Sequence, residues 1–239
     1  MNKRIRNLRL IASDDPLYEE YNKSFKNDKD SNTPKEHTKS EMVAYVLELT
    51  VREWVKSSGW SYYKRIIAFE TYDRKFKKYI TRFDEIDYVL KNGKQVIIGE
   101  VKASYQIKGI LSKAAKQLNR KKNLLNELGL DVKMQLIFFD LSFLQNTDSI
   151  HQFSMKYNKA KFQLINYKDL EIEYLRLNPF DIYQWGVTKG IIKTPELLPA
   201  AIAEAEIRHL NKIEKIELKN KLKMTRNYEN PTNHPRLSA

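Results

Sequence analysis

The chain contains no cysteine, and this absence excludes disulfide bonds and thiolate metal sites. Histidine is scarce, and its four copies are far apart with no HExxH pairing, so we do not expect a histidine-built zinc site. No apolar run approaches the roughly 18 residues that a membrane-spanning helix requires. The first residues, MNKRIRNLRLIASDD, also lack the apolar core of a signal peptide. We therefore expect no membrane partner and a cytoplasmic location.

Basic residues are in excess, with 43 Lys and Arg against 30 Asp and Glu, which gives a net charge of +13. Such a surplus attracts polyanions, and nucleic acid or an anionic membrane surface are the usual ones. A basic protein with neither partner is the alternative. The 239 residues are 41% hydrophobic, enough for one large core with appendages, so wholesale disorder is not expected.

Four segments follow from the pattern along the chain. Residues 1–37 read as a basic and polar N-terminal arm, loosely ordered, with a helix near residues 17–25. Residues 38–170 carry regular apolar periodicity and form the expected core. Residues 171–224 read as a C-terminal extension with a basic helix, starting at Thr194-Pro195-Glu196. Residues 225–239 are polar and are expected to be a disordered tail.

Within the core, a helix is predicted from an N-cap at Ser40 to Ser57-Ser58-Gly59, and a second from about Gly109 to Leu128. Strands are predicted at residues 63–71, 79–90, 95–103, 132–140 and 161–167. Asn92-Gly93 joins the second and third of these as a hairpin. This order predicts an α/β fold, a mixed β-sheet flanked by helices, with a helical C-terminal extension.

The predicted hairpin brings charged residues into apolar strands. Glu100 and Lys102 share one face of their strand because side chains alternate, and Asp87 lies in the partner strand RFDEIDYVL. Charges at such positions are costly unless they are paired or bind an ion. Carboxylates can hold a hard divalent cation, while a lysine can orient water and offset negative charge. The structural alternative is a surface hairpin whose charges are merely solvated.

These residues resemble the motif of the PD-(D/E)xK nuclease superfamily, with Asp87 as the aspartate and Glu100-Val101-Lys102 as the ExK element. The resemblance covers roughly residues 38–140, and Ile86 stands where the family usually has proline. It implies a restriction-endonuclease-like core in which Asp87, Glu100 and Lys102 are catalytic. It also implies Mg²⁺ as cofactor, for which Mn²⁺ can substitute.

Two further family features have counterparts in the chain. Many members place a glutamate near the start of the first helix, facing the metal; Glu41 fits best, and Glu48 is the reserve choice. The metal ligands implied are thus Asp87, Glu100 and Glu41. Some members carry a Gln followed four residues later by Tyr or Lys on the next helix, and Gln117 with Lys121 matches this loosely.

Basic residues crowd the region after the ExK strand and are candidates for phosphate contacts. Any single one could equally belong to a solvated helix face. The candidates are Lys108, Lys113, Lys116, Arg120 and Lys121.

The function implied is that of an Mg-dependent deoxyribonuclease, an endonuclease that hydrolyses DNA phosphodiester bonds with a metal-activated water. The alternative is a non-catalytic nucleic-acid-binding or assembly protein with a nuclease-like fold. An NTPase is disfavoured because no GxxxxGK[ST] loop occurs. A homodimer, or a partner protein bound to the basic C-terminal helix, is left open.

Overall fold

The computed structural model describes the chain in seven ranges. The side chains of residues 25–30, 61–62, 92 and 222–229 are not among those described. The described ranges are residues 5–30, 37–57, 61–62, 65–93, 95–105, 109–144 and 162–229.

In these ranges the chain forms five α-helices, nine strands and a short 3₁₀ turn. The helices are α1 (Leu17–Asp30), α2 (Lys39–Lys56), α3 (Ile110–Glu127), α4 (Pro179–Thr188) and α5 (Leu197–Glu229). The strands are β1 (Ile5–Ile11), β2 (Ser61–Tyr62), β3 (Ile66–Asp73), β4 (Lys78–Glu85), β5 (Tyr88–Asn92), β6 (Gln95–Ser104), β7 (Asp131–Asp140), β8 (Gln163–Tyr167) and β9 (Leu170–Leu177). The predicted α/β class is confirmed. No helix of the described ranges has the length and apolarity that crossing a membrane requires.

The strands form two sheets. The smaller is antiparallel with order β1-β3-β4, and the larger is mixed with order β2-β5-β6-β7-β9-β8. In the larger sheet β6, β7 and β9 run parallel, while β5 and β8 are antiparallel to their neighbours. The near-continuous apolar run of β7 fits its place at the centre, where both faces are covered.

Helices cover both faces of the large sheet. On one face α2, α4 and α5 pack over a cluster that includes Leu47, Val101 and Phe139. On the other face α3 packs over a second cluster that includes Ile98 and Leu118. Because side chains alternate along β6, its odd-numbered residues face α2 and its even-numbered residues face α3. Glu100 and Lys102 therefore lie on the α3 face.

The N-terminal segment is more ordered than expected. β1 pairs with β3 in the small sheet, and Tyr21 of α1 packs with Ile11 and Ile66 in a core of its own. The expectation of a loosely ordered arm was wrong for residues 5–30. Ile5, Leu8 and Leu10 of β1 pack against the core under α3, Ile11 is buried in the core of α1, and Arg6 and Arg9 are exposed.

The strand predicted over residues 79–90 is two strands in different sheets. β4 ends at Glu85, Asp87 lies in a bend, and β5 begins at Tyr88. The sequence context predicted that Asp87 lies inside a strand, and this prediction was wrong. The break carries β4 away to the small sheet, so β5 pairs with β6 only from Tyr88 opposite Gly99.

The C-terminal segments also differ from the predicted boundaries. β8 and β9 form a hairpin through Lys168 and Asp169, both with positive φ, so the boundary placed at residue 170 divides one structural unit. β9 lies in the large sheet beside β7 and was not predicted. Helix α5 continues to Glu229, beyond the expected end at residue 224, while residues 230–239 of the predicted tail lie outside the described ranges.

Gly99 permits a close approach between β6 and β5. A Cβ on Gly99 would lie 1.9 Å from Cζ of Tyr88, whose ring is fully buried. The Tyr88 hydroxyl crosses over Gly99 and donates to Oε1 of Gln135 on β7 at 2.9 Å. Tyr88 thus ties the first residue of β5 to the centre of the sheet.

We predict that Gly99→Ala lowers the free energy of unfolding by about 1–3 kcal/mol, the usual cost of overpacking a core. Denaturant unfolding measures the change. In a Tyr88→Leu background the ring is gone, so the same glycine substitution should cost clearly less. An equal cost in both backgrounds would contradict the Tyr88 contact as the cause.

Candidate active site

The site is built on the edge of β6 that β5 leaves uncovered. Beyond Gly99 no strand of the described ranges pairs with the β5-facing amides of β6, and two side chains accept them instead. Val101 N donates to Oδ2 of Asp87 at 2.7 Å, and Ala103 N donates to Oε1 of Glu48 at 3.3 Å. Two carboxylates, one from the bend and one from α2, are thus held side by side along one strand.

The third carboxylate belongs to β6 itself. Glu100 is 2% exposed and contacts two ammonium groups, Lys102 Nζ at 2.5 Å and Lys121 Nζ at 2.7 Å. Lys121 comes from α3 and is itself only 3% exposed. A buried carboxylate needs such partners because an unpaired buried charge is strongly destabilising. Glu100 and Lys102 lie together as their i, i+2 spacing predicts.

Arg52 is a member of the site that the sequence analysis did not identify. Its Nη2 atom lies 3.0 Å from Oδ1 of Asp87, and its Nη1 atom lies 3.8 Å from Oε1 of Glu85. Arg52 follows Glu48 by four residues, so α2 presents an acid and a base to the same place. That i, i+4 spacing was the available signal, and it was missed because Glu48 was only the reserve choice.

The electrostatics reflect this crowding. Burial raises the pKa of Glu48, and the charge of Asp87 raises it further, against the opposing effect of Lys102. For Lys102, burial lowers the pKa, but Glu100, Asp87 and Glu48 outweigh it, and the net shift is upward. Lys102 is therefore a cation at neutral pH and not a proton acceptor.

Asp84 extends the polar cluster on the β4 side. Burial raises the pKa of its carboxyl group although Arg120 Nη2 lies within 2.8 Å. The side chain of Arg120 is 65% exposed, although its guanidinium forms an ion pair with this buried carboxylate. It was predicted to contact nucleic acid, but its guanidinium already has a protein partner.

The structure places Glu48, and not Glu41, at the carboxylate cluster. Glu41 belongs to the capping box of α2: its Oε2 accepts from Thr38 N at 2.9 Å, and Thr38 Oγ1 accepts from Glu41 N. That backbone hydrogen bond lowers the pKa of Glu41, whose side chain is exposed. The N-cap is therefore Thr38 and not Ser40, and Glu41 lies two helical turns, about 10 Å, from Glu48.

The basic residues predicted on α3 divide into two groups. Lys113, Lys116 and Gln117 are exposed and line a cleft of about 550 Å³ together with Lys102. Lys121 is buried against Glu100 and cannot reach a phosphate on the surface, so its assignment to nucleic-acid binding is corrected. The predicted contact at Lys108 lies outside the described ranges.

The donor set is compatible with a hard divalent cation. Burial raises the pKa of Glu48, the charge of Asp87 raises it further, and a cation between the two carboxylates would offset both effects. Within the described ranges, no three Asp, Glu or His side chains form a ready ligand group. Mg²⁺ does not require one, because it is commonly held by one or two carboxylates plus water and phosphate oxygens.

The chain was compared with known proteins. No protein-family model matches it, and no curated protein matches it either. Function is therefore inferred from the site geometry.

We predict that Glu48→Gln stabilises the metal-free protein at pH 7. The pKa of Glu48 is raised in the folded state above 4.5, its ordinary value, which applies in the unfolded state. Between these two pKa values the folded state binds more protons than the unfolded state, so the stability of the wild type falls as the pH rises. The glutamine keeps an oxygen for Ala103 N but carries no charge. Denaturant unfolding in chelator should show a gain at pH 7 that shrinks as the pH falls through the folded pKa of Glu48 toward 4.5.

Glu41→Gln is the matched control for this prediction. The pKa of Glu41 is lowered, so its charge stabilises the fold above pH 4.5, and its removal should bring no gain at pH 7. A gain in Glu41→Gln, or a Glu48→Gln difference that does not vary with pH, would contradict the assignment of Glu48 as the strained carboxylate.

Proposed function

We propose that the protein is a metal-dependent endonuclease that hydrolyses phosphodiester bonds of DNA, with its active site at the uncovered edge of β6. The observation that carries the proposal is the pair of hydrogen bonds from Val101 N and Ala103 N to the carboxylates of Asp87 and Glu48. They hold two acids from separate elements next to Glu100 and Lys102. This supports the expected resemblance to the PD-(D/E)xK superfamily and its restriction-endonuclease-like core.

Two carboxylates, those of Asp87 and Glu48, are fixed by backbone amides of β6 and would hold the cation. Glu100 lies on β6 itself, but the three carboxylates do not form a ready ligand group within the described ranges. Arg52 and Lys102 now neutralise oxygens of Asp87 and Glu100, so a cation would compete with them. When bound, Mg²⁺ or Mn²⁺ supplies a lowered pKa for water and positive charge for the phosphate.

Lys102 acts as a fixed positive charge in this proposal. It is the only one of the two lysines on Glu100 that also lines the cleft, whereas Lys121 is enclosed. A protonated lysine at this place stabilises negative charge that develops on the phosphate in the transition state. Lys121 Nζ contacts Glu100 Oε2 at 2.7 Å, and so positions this carboxylate from the α3 side.

The basic cleft supports nucleic acid as the substrate. Lys113 and Lys116 stand on the exposed side of α3, and the whole chain carries a charge of +13. Contacts of this kind neutralise backbone phosphates without reading sequence. The competing proposal, a binding protein with a nuclease-like fold, predicts salt-dependent binding without cutting.

We predict that the protein cuts supercoiled or linear DNA with Mg²⁺ or Mn²⁺, and that Asp87→Asn and Lys102→Ala each lower the rate at least about a hundredfold. Each substitution removes one charge from the site while leaving the cleft in place. Gel-resolved cleavage, with and without chelator, measures the rate.

Asp131→Asn and Lys133→Ala are the matched controls, because both side chains are exposed at the far end of β7, beside the start of β6. They make the same charge changes and should keep wild-type rates. Binding with no cutting under either metal would refute the nuclease proposal in favour of the binding protein, and equal cutting by all four variants would refute the site.

A further inference from the structure

Helix α5 changes character where it leaves the body of the protein. Its first half packs on α2 through buried alanines, Ala201 and Ala205, and Lys39 bridges to Glu204 at 2.8 Å. From residue 206 to residue 221 every described side chain except His209 is exposed, and Leu210 is 60% exposed. The second half therefore projects beyond the core, and none of its described apolar side chains is buried against the body of the protein.

The projecting half segregates its charges. Arg208, Lys212, Lys215 and Lys219 follow Ala201 and Ala205 at spacings of three and four residues, so they continue the same stripe of the helix. Glu206, Glu214 and Glu217 lie on the other side, at spacings of eight and three residues, together with Lys221, which follows Glu217 by four. The stripe of α5 that packs on the body of the protein through Ala201 and Ala205 thus continues into the projecting half as a row of basic residues.

This arrangement has a cost in the free protein. Lysines and arginines at i, i+3 and i, i+4 repel one another by about 0.2–0.5 kcal/mol per pair. Among the described residues, Lys212, Lys215 and Lys219 form no ion pair, whereas Arg208 donates to Ser40 Oγ at 3.3 Å. A polyanion laid along the stripe would remove the repulsion.

The basic stripe begins beside the proposed active site. Arg208, His209 and Lys212 line a pocket of about 320 Å³ together with Tyr105, which follows Lys102 by three residues. On the other side of the same strand end lies the cleft of Lys113 and Lys116. The carboxyl end of β6 thus stands between two basic surfaces.

The exposed apolar residues of α5 do not form a rival docking stripe. Ile207, Leu210, Ile213 and Ile216 succeed one another at steps of three residues, and each step turns back by about 60° around the helix. Leu218 returns to the side of Ile207, but it lies three helical turns further along. They wind around α5 and give no continuous apolar face for a partner helix.

We propose that the stripe Arg208–Lys212–Lys215–Lys219 binds the phosphate backbone of duplex DNA that extends from the active site, and so gives the enzyme affinity for long duplexes. The eleven steps from Arg208 to Lys219 span about 16 Å of helix, which corresponds to about five base pairs at 3.4 Å each. The proposed substrate is thus duplex DNA that continues past the cleavage site along α5. This inference rests on the proposed function for its location, but it concerns binding and is tested without cleavage.

The test compares two triple variants of the full chain by fluorescence anisotropy in chelator, across a range of salt. The stripe variant is Lys212→Ala/Lys215→Ala/Lys219→Ala. The control, Lys133→Ala/Lys189→Ala/Lys221→Ala, removes the same charge from exposed lysines off the stripe. Alanine favours helix, so circular dichroism should show α5 retained in both.

We expect the stripe variant to bind a duplex of about 30 base pairs at least tenfold more weakly, with a salt slope reduced by about one for each lysine removed. The control should stay within about twofold. With a duplex of about 10 base pairs, the difference between the two variants should largely disappear because the arm is missing.

Equal weakening in both triple variants, or none in either, would overturn the proposal. So would loss of binding to phosphatidylserine vesicles by the stripe variant with duplex binding intact. The failure of the proposed nuclease activity is distinguishable: stripe-dependent binding without any cutting refutes the activity alone, and cutting with no stripe dependence refutes the stripe alone.

Discussion

The parting of β4 from β5 at Asp87 is the constraint on which the site depends. It leaves the amides of Val101 and Ala103 without a neighbouring strand, and a buried amide with no acceptor costs about 1–3 kcal/mol. Side-chain oxygens of Asp87 and Glu48 take the place of the missing strand. The fold therefore needs hydrogen-bond acceptors at the same place where the proposed chemistry needs carboxylates. The side chains of Asp87 and Glu48 meet both needs.

The gathered acids then determine their surroundings. Glu100, which is 2% exposed, contacts the ammonium groups of Lys102 and Lys121, and Asp87 contacts the guanidinium of Arg52. The balance is incomplete, since burial and Asp87 still raise the pKa of Glu48. A site that is electrostatically strained in the free protein is one that gains from binding a cation, and strain of this kind commonly collects at functional positions.

Much of the core could be predicted from the sequence because its signals are local. The period of α2, the Asn92-Gly93 turn and the apolar run of β7 each fix an element without reference to the rest. Glu100 and Lys102 share a face because of strand alternation alone. What failed was non-local: β1 and β9 were missed as partners of β3 and β7, although the alternation Leu170-Glu171-Ile172-Glu173 in β9 was an available local signal.

The errors in the site have the same origin. Glu41 and Glu48 lie on one face of α2, so helical periodicity cannot distinguish them. Which of them reaches the site depends on where along its length α2 packs against β6, and there Ala103 N donates to Glu48. Lys121 looked like a surface lysine within a basic run, and only the packing of α3 on β6 turns it toward Glu100. Arg52 could have been found from its spacing to Glu48, once Glu48 was the chosen acid.

The most direct test of the account is calorimetric titration of the metal-free protein with Mn²⁺, comparing the wild type with Asp87→Asn, Glu48→Gln and Glu41→Gln. If the uncovered edge of β6 is a cation site, binding is lost or weakened at least about tenfold in the first two variants. It is unchanged in Glu41→Gln, whose carboxylate caps α2. Binding that survives loss of Asp87 and Glu48, or that depends on Glu41, would contradict the account.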